Sequence, residues 1–482
     1  RGGGWSGRET IMAALYPQSL PVYRPARPVS KRFAGPPEAA RWAIAAAGNQ
    51  AGDLKEWPFP GPRCSKTDMT EPYPIRPITP AEFDAFHLMD QLAFHGGPIS
   101  AEERGHIMAR FEFDRSLVAF DGGRQVGGTA AFSFRLRIPG ADVPAAGVSW
   151  VSVLPTYRRR GILRSLMRRQ LADIRDRGEA LAVLWAAESV LYGRYGYGQA
   201  SWNLAYTIRR GEGGLAADAP SDPELRLRIT DPGQARAELA KVHEDAFETR
   251  PGFFRRDELW WDRYLWDPES ERKGASPLRC VLAEDDAGPR GYSLYSGRGD
   301  WDDDSFLPTG TINVRELVAT DPAASAALWG DLLSRDLTAE IHARVRPVDD
   351  PVQFQLADPR RLRTVLSDAL WARITDLPAA LTQRRYASPV DVVLDVRDDM
   401  FEENTGRWRL RADESGRASC DPVDAGADIE LGIAELGAAY LGGTRLGALA
   451  AAGRVRQLRS GALGQLSAAM SWDPAPWCPV IF

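Results

Sequence analysis

Cysteine and histidine are scarce in this 482-residue chain, with four of the first (Cys64, Cys280, Cys420, Cys478) and five of the second (His87, His95, His106, His243, His342). The cysteines lie far apart, in neither CxxC nor zinc-finger spacing, and the histidines form no HExxH or similar ligand pattern. No disulfide framework and no metal is therefore expected, and a reduced, cytoplasmic setting is the simplest reading. No apolar run approaches the ~20 residues that a bilayer demands. The longest, such as residues 181–187, suit a buried strand, so no membrane partner is expected. The acidic run Asp300, Asp302, Asp303 and Asp304 lacks calcium-loop spacing, and the pairs Gly122-Gly123 and Gly127-Gly128 read as hairpin glycines rather than a dinucleotide loop.

Charge is also unevenly present. The net value is −5, yet residues 1–68 hold ten Lys/Arg against five Asp/Glu, which leaves the remainder near −10. An acidic body disfavours nucleic acid as a partner and attracts a polycationic small molecule. The first 68 residues begin with Arg1, are rich in Gly, Pro and Ala and carry no sustained period. They are read as a disordered or non-native upstream segment, with Met69 as the natural start.

Pattern begins beyond Met69. Thr79-Pro80-Ala81-Glu82 is a capping box with proline at the first helical position, followed by an amphipathic helix through Phe83, Phe86 and Met89. Strands are predicted at 75–77, 117–120, 129–138 and 147–154, then a helix at 161–177 closed by Gly178, and an apolar strand at 181–186. A short helix near 189–195 and a strand at 201–208 complete a first unit. A linker at 211–223 leads to a second unit: a helix at 232–247, strands at 278–283, 291–295 and 311–320, and a helix at 323–337. The order resembles the first unit, but Asp321-Pro322-Ala323-Ala324 stands where the first has Arg158-Arg159-Arg160-Gly161, so the copy is read as degenerate. The aromatic cluster Trp260, Trp261, Tyr264 and Trp266 within it is read as core or interface. A third region starts near Ser388, with strands at 390–396, 406–412 and 429–431 and helices at 433–439 and 445–451.

Three segments carry chemistry. In Val151-Ser152-Val153-Leu154-Pro155-Thr156-Tyr157-Arg158-Arg159-Arg160-Gly161-Ile162-Leu163-Arg164 a strand breaks at proline and enters a helix through a basic, glycine-containing turn. Backbone N–H groups at such a helix start, with arginine forks beside them, suit a pyrophosphate. The second segment is Leu191-Tyr192-Gly193-Arg194-Tyr195-Gly196-Tyr197-Gly198, just after Ala187 and Glu188. The third is the end of the chain, Pro479-Val480-Ile481-Phe482, which is apolar where termini are usually polar.

The turn resembles the Gln/Arg-x-x-Gly-x-Gly/Ala signature of the GNAT acetyltransferases, with Arg158 and Gly161 matching. Leu163 departs at the sixth position, a departure shared by the enhanced intracellular survival (Eis) branch, whose Pro-Thr-x-Arg-Arg-Arg-Gly and Tyr-Gly-Arg-Phe-Gly-Tyr-Gly segments are also similar to those here. This resemblance spans residues 69–482 and implies an α/β (α+β) chain of tandem GNAT-fold domains, 69–212 and 222–375, followed by a sterol carrier protein-like α+β domain, 385–482. It implies acetyl-coenzyme A as co-substrate, with pantetheine held along Val151, Ser152 and Val153 and pyrophosphate held by Arg158, Arg159, Arg160, Gly161, Ile162, Leu163 and Arg164. Ala187 and Glu188 would line the acetyl end. It further implies Tyr192 as general acid, the carboxylate of Phe482 as general base, a homohexamer, and an aminoglycoside as the small-molecule amine. Capreomycin-like peptides, protein lysines, polyamines and small metabolites stay open as acceptors. The alternative is a lipid- or protein-binding module on the same scaffold, against which Tyr192 and the apolar terminus count.

Overall fold

The computed structural model describes residues 73–482; the expectations for residues 1–68 and for a start at Met69 lie outside the described residues. Thr79 and Glu82 form the expected capping box, the Thr79 N–H donating to Glu82 Oε2 at 2.9 Å. The helix Phe83–Phe94 behind it buries Phe83, Phe86, Met89 and Ala93. The helix Ile162–Asp176 buries Leu166, Met167, Leu171 and Ile174 on one face, and Gly178 ends it in the left-handed region at φ +78°. Each boundary lies within a residue or two of the predicted one, because amphipathic period and caps are local signals.

The first sheet has seven strands in the order Ile75–Arg76, Leu117–Asp121, Arg124–Ile138, Ala141–Val153, Leu181–Trp185, Leu370–Ile374, Gly198–Gln199. The second runs Val365–Asp368, Trp202–Arg209, Glu340–Arg346, Thr311–Ala319, Gly288–Arg298, Arg279–Asp285, Arg226–Thr230. The two sheets therefore exchange strands. Trp202–Arg209, expected to complete the first unit, lies in the second sheet, where Leu204, Tyr206 and Ile208 enter the core around Trp329. Its counterpart Leu370–Ile374 comes back to pair with Leu181–Trp185. Alternation reveals a strand and its buried face but does not name the neighbour, so this exchange is invisible along the chain.

The third sheet has five strands, Ala418–Pro422, Gly406–Ala412, Val390–Arg397, Ile429–Gly432 and Val455–Gln457. Helix Ile433–Ala439 packs from there onto Gly198–Gln199 of the first sheet, so closely that a Cβ on Gly198 would stand 1.8 Å from the Ala434 carbonyl oxygen. One apolar core runs from Phe134 and Leu181 through Val392 and Leu466 to Phe482. Arg373, fully buried, donates to both carboxylate oxygens of Asp398 at 2.8 Å and ties the first sheet to the third.

Candidate active site

Strands Ala141–Val153 and Leu181–Trp185 run parallel, so both leave the sheet at the same end. Among the described residues they pair only at Ala146 with Ala182 and Gly147 with Val183. Beyond that point the longer strand continues alone to Val153, still paired on its other side with Gly127 and Gly128. Its free edge, which includes Val151 and Val153, presents backbone donors and acceptors to an extended ligand as a missing strand would. A register shift between Gly128 and Ala130 marks a bulge here, and Trp150 takes φ +58° within it. That conformation is unfavourable for a bulky residue. It is held by the Trp150 ring against His87, Phe86 and Phe111, with centroids 5.8 to 6.2 Å apart.

The strand's exit is anchored by the Leu154 N–H donating to the Val126 carbonyl at 3.0 Å and by Tyr157 Oη donating to Asp121 at 2.8 Å. Arg159 (φ +64°) and Gly161 (φ +85°) then turn the chain into the helix. A Cβ at Gly161 would meet nothing, so the positive φ, not crowding, is what calls for glycine. The exposed side chains of Arg158, Arg159 and Arg164 have no hydrogen-bond or ion-pair partner among the described residues. Arg160 differs: it donates to Tyr73 Oη at 3.2 Å and to the Thr156 carbonyl at 3.1 Å, and lies 4.6 Å over the Tyr157 ring. Its guanidinium braces the turn from an exposed position. Ile162 is buried and Leu163 half-buried, so both could serve a ligand only through their N–H groups.

From the other strand, residues 186–188 lead into the short helix Ser189–Tyr192, with Ala187 half-buried and Glu188 exposed. Tyr192 is buried, edge-on to Tyr197 at 5.9 Å. Burial, with Tyr195 nearby, pushes its phenol well above the usual value and keeps it protonated. The Tyr197 hydroxyl is sealed without a partner, whereas that of Tyr192 is not among the sealed atoms. Of the two, Tyr192 is the one able to meet a ligand.

The chain terminus enters a cavity of about 290 Å³. The Phe482 ring packs edge-on against Phe134 at 4.9 Å and Phe254 at 5.5 Å, and Trp185 Nε1 donates to the Val480 carbonyl at 3.0 Å. The splayed strand supplies Ser149 and Trp150 to the same cavity. Neither Tyr192 nor the turn at 158–164 lines it; they flank the open strand edge instead. Of the aromatic cluster, Trp261 is buried in the core and Trp260 and Tyr264 pack against it, as expected; Trp260, Tyr264 and Trp266 also line the cavity, as helix Ala101–Arg110 does through His106, Ile107 and Arg110. Ser100 with Glu103 is a visible helix-start signal for that element, but nothing in it announces a cavity. Burial, aided by Arg263, draws the Arg110 guanidinium down to about 9, and burial likewise lowers Arg263. Burial raises the carboxyls of Glu103 and Glu271 in the same cavity. Among the described residues no group of three His, Cys, Asp or Glu could hold a metal ion.

An open strand edge, a helix start lined with partner-free arginines, and a cavity beside them are the parts of an acyl-coenzyme A enzyme. Sequence comparison agrees. The acetyltransferase (GNAT) domain profile matches residues 74–200, a second GNAT profile matches 252–374, and the sterol carrier protein domain matches 377–479. The N-acetyltransferase Eis of Mycobacterium tuberculosis is 36% identical over 371 residues, 75% of this chain and 87% of the relative. The chain belongs to the Eis family of GNAT N-acetyltransferases. An uncharacterized N-acetyltransferase of Streptomyces coelicolor is 44% identical over 403 residues, 83% of this chain and 97% of its own. The crystal structure of Eis1 from Mycobacterium abscessus superposes with a TM-score of 0.71 at 31% identity, covering 85% of this chain and all of that one. GNAT domains imply acetyl-coenzyme A as co-substrate.

Proposed function

We propose that this Eis-family acetyltransferase moves the acetyl group of acetyl-coenzyme A directly to an amine, with Tyr192 as acid and the Phe482 carboxylate as base. The observation that carries the proposal is the splay of Ala141–Val153 from Leu181–Trp185, with the basic turn at one end and the buried terminus near the other. The pantetheine arm lies along Val151, Ser152 and Val153. The pyrophosphate sits on the N–H groups of 158–164 and the forks of Arg158 and Arg159.

The amine arrives as an ammonium ion and gives one proton to the Phe482 carboxylate. Its nitrogen then attacks the thioester carbonyl, forming C–N, and the C–S bond breaks as Tyr192 protonates the departing sulfur. The second proton leaving nitrogen returns to the tyrosine, so amide, free thiol and one released proton balance the reaction. A phenol held neutral by burial fits the acid role.

Aminoglycosides are the acceptor class that the family resemblance implies. A homohexamer belongs to the same proposal, as does a cytoplasmic setting, which the buried free thiols of Cys280, Cys420 and Cys478 suit. The test is free-thiol release from acetyl-coenzyme A across a panel of amines. The wild-type chain should turn over at least one, and Tyr192→Phe should lower kcat by about 10²-fold or more with acetyl-coenzyme A affinity kept. Acetyl-coenzyme A binding without thiol release from any amine would favour the binding-module alternative.

A further inference from the structure

Past helix Ala462–Met470 the chain runs to its end without regular secondary structure. Such a segment has no hydrogen-bond ladder of its own, so its neighbours must fix where it lies. The second unit supplies much of that hold. Arg250 Nη1 donates to the Ala475 carbonyl at 2.8 Å and to Asp349 at 2.7 Å, and Asp349 accepts from the Ala475 N–H at 2.9 Å. One ion pair thus engages both backbone groups of a single tail residue, as a neighbouring strand would. Farther on, the Trp477 N–H donates to the Pro251 carbonyl at 2.9 Å. The Trp477 ring is buried with Leu239, Val242 and Phe253, and the Arg346 guanidinium lies 5.1 Å over it.

The second unit is itself registered on the first. The Gly252 N–H donates to the Arg137 carbonyl at 2.9 Å, and the Arg137 N–H to that of Phe253 at 2.8 Å. Residues 251–253 are therefore bonded both to strand Arg124–Ile138 and to the tail. Gly252 takes φ +92°, and a Cβ there would stand 2.8 Å from the Trp477 carbonyl oxygen, so both conformation and closeness call for glycine. Beyond Trp477 the tail is short, and its next anchor is the Trp185 indole on the Val480 carbonyl at 3.0 Å. A shift at Ala475 or Val480 therefore moves the terminal carboxylate, and misplacing a reacting group by about 1 Å can cost about 10²-fold in rate.

We infer that the degenerate unit holds the terminal base in place: Arg250 and Asp349, with Trp185 of the first unit, are positioning residues that set how far Phe482 reaches into the cavity. A copy that lacks the basic turn thereby serves the chemistry of its neighbour. Their role in turnover rests on the reading of the Phe482 carboxylate as base; their hold on the tail does not.

Two measurements on the full chain test this. One is removal of Phe482 by carboxypeptidase A, followed by intact mass. The other is thiol release from acetyl-coenzyme A with kanamycin or, if that does not react, the fastest amine of the panel. Asp349→Ala and Arg250→Gln should each speed removal about tenfold or more and lower kcat about tenfold or more. The KM for acetyl-coenzyme A should stay unchanged, and Arg250→Lys should recover part of both losses. Trp185→Phe, which removes the N–H donor, should act alike and replaces the pair variants if they fail to fold. Asp321→Ala, which weakens the second unit away from the tail, should leave both readings at the wild-type value. In a chain extended by one glycine after Phe482, the same substitutions should lower kcat no further, because the carboxylate is already displaced. Unchanged removal and kcat in the three variants, an equal change in Asp321→Ala, or an equal further loss of kcat in the extended chain would overturn the inference. Normal turnover in the extended chain would instead remove the base reading, and the positioning role with it, whatever the removal rates. Lost turnover in the extended chain with normal kcat in the three variants would keep the base and remove only its holders.

Discussion

The two GNAT units begin their central helices in opposite ways. At Gly161 the helix start is open, with exposed arginines that have no partner among the described residues. At Asp321 it is already filled: the carboxylate accepts from the Ala323 and Ala324 N–H groups at 2.9 and 3.0 Å and from Arg290 Nε at 2.8 Å. The splayed strands differ in the same sense. In the second sheet Thr311–Ala319 and Glu340–Arg346 pair from Thr311 with Glu340 to Val314 with Ala343. Past that point the buried Arg346 donates to the Leu317 carbonyl at 2.6 Å and to Asp350 at 2.6 Å, taking up the strand edge that the first unit leaves free. The second copy has kept the fold and closed the ligand site with its own side chains, so likeness of fold does not carry function with it.

Changes of four kinds would sharpen or break this contrast, and the largest effect should come at Phe482, the proposed base. One glycine added after Phe482 displaces the carboxylate by about 3.5 Å of chain, and turnover should fall by about 10²-fold or more. The melting temperature should change little. Normal turnover in that variant would remove the terminal base and leave water or a side-chain carboxylate to take the proton.

Next is Gly161→Asp, which gives the first helix start the carboxylate that fills the second. Two charges about 4 Å apart at an effective dielectric near 20 repel by about 4 kcal/mol before salt screening. The KM for acetyl-coenzyme A should therefore rise about 10²-fold above that of Gly161→Asn, which tolerates the same left-handed backbone without the charge. Equal KM values would mean that no phosphate sits at this turn.

Arg158→Ala and Arg159→Ala should each cost about 1.5–3 kcal/mol of acetyl-coenzyme A binding, read as a raised KM with the amine KM unchanged. Arg160→Ala should cost less, because its side chain already serves Tyr73 and Thr156.

The smallest effect is expected at Asp321→Ala, which should lower stability by about 1–2 kcal/mol and leave the acetyl-coenzyme A KM alone. Burial alone would raise the Asp321 carboxyl, but Arg290 and the two N–H groups outweigh it and hold the folded value below the ordinary one. Its contribution is therefore full above the unfolded value near ~3.9 and is lost as pH falls through the lower folded value. The gap between variant and wild type, measured by urea unfolding, should close in acid; a gap that widened there would contradict the assigned ion pair.

Much of this molecule was legible along the chain. The capping box at Thr79, the helix face of Leu166, Met167, Leu171 and Ile174, and the Arg158-to-Gly161 turn are encoded by residues a few positions apart. The same holds for the absence of an equivalent turn after Ala319. Tyr192 could be named only because a seven-residue segment resembles a known family, and the apolar terminus at Phe482 suggested burial without showing where. Hydrophobic period, caps and turn residues thus specify which elements form and which face of each is buried, since they act within one or two turns of chain. Tertiary structure alone exchanged Trp202–Arg209 for Leu370–Ile374, carried Phe482 to Phe134 and Phe254, and set Arg263 and Trp266 of one unit opposite Arg110 of the other. Those choices depend on which surfaces and charges fit across hundreds of residues, where burial and pairing, rather than local propensity, decide the outcome.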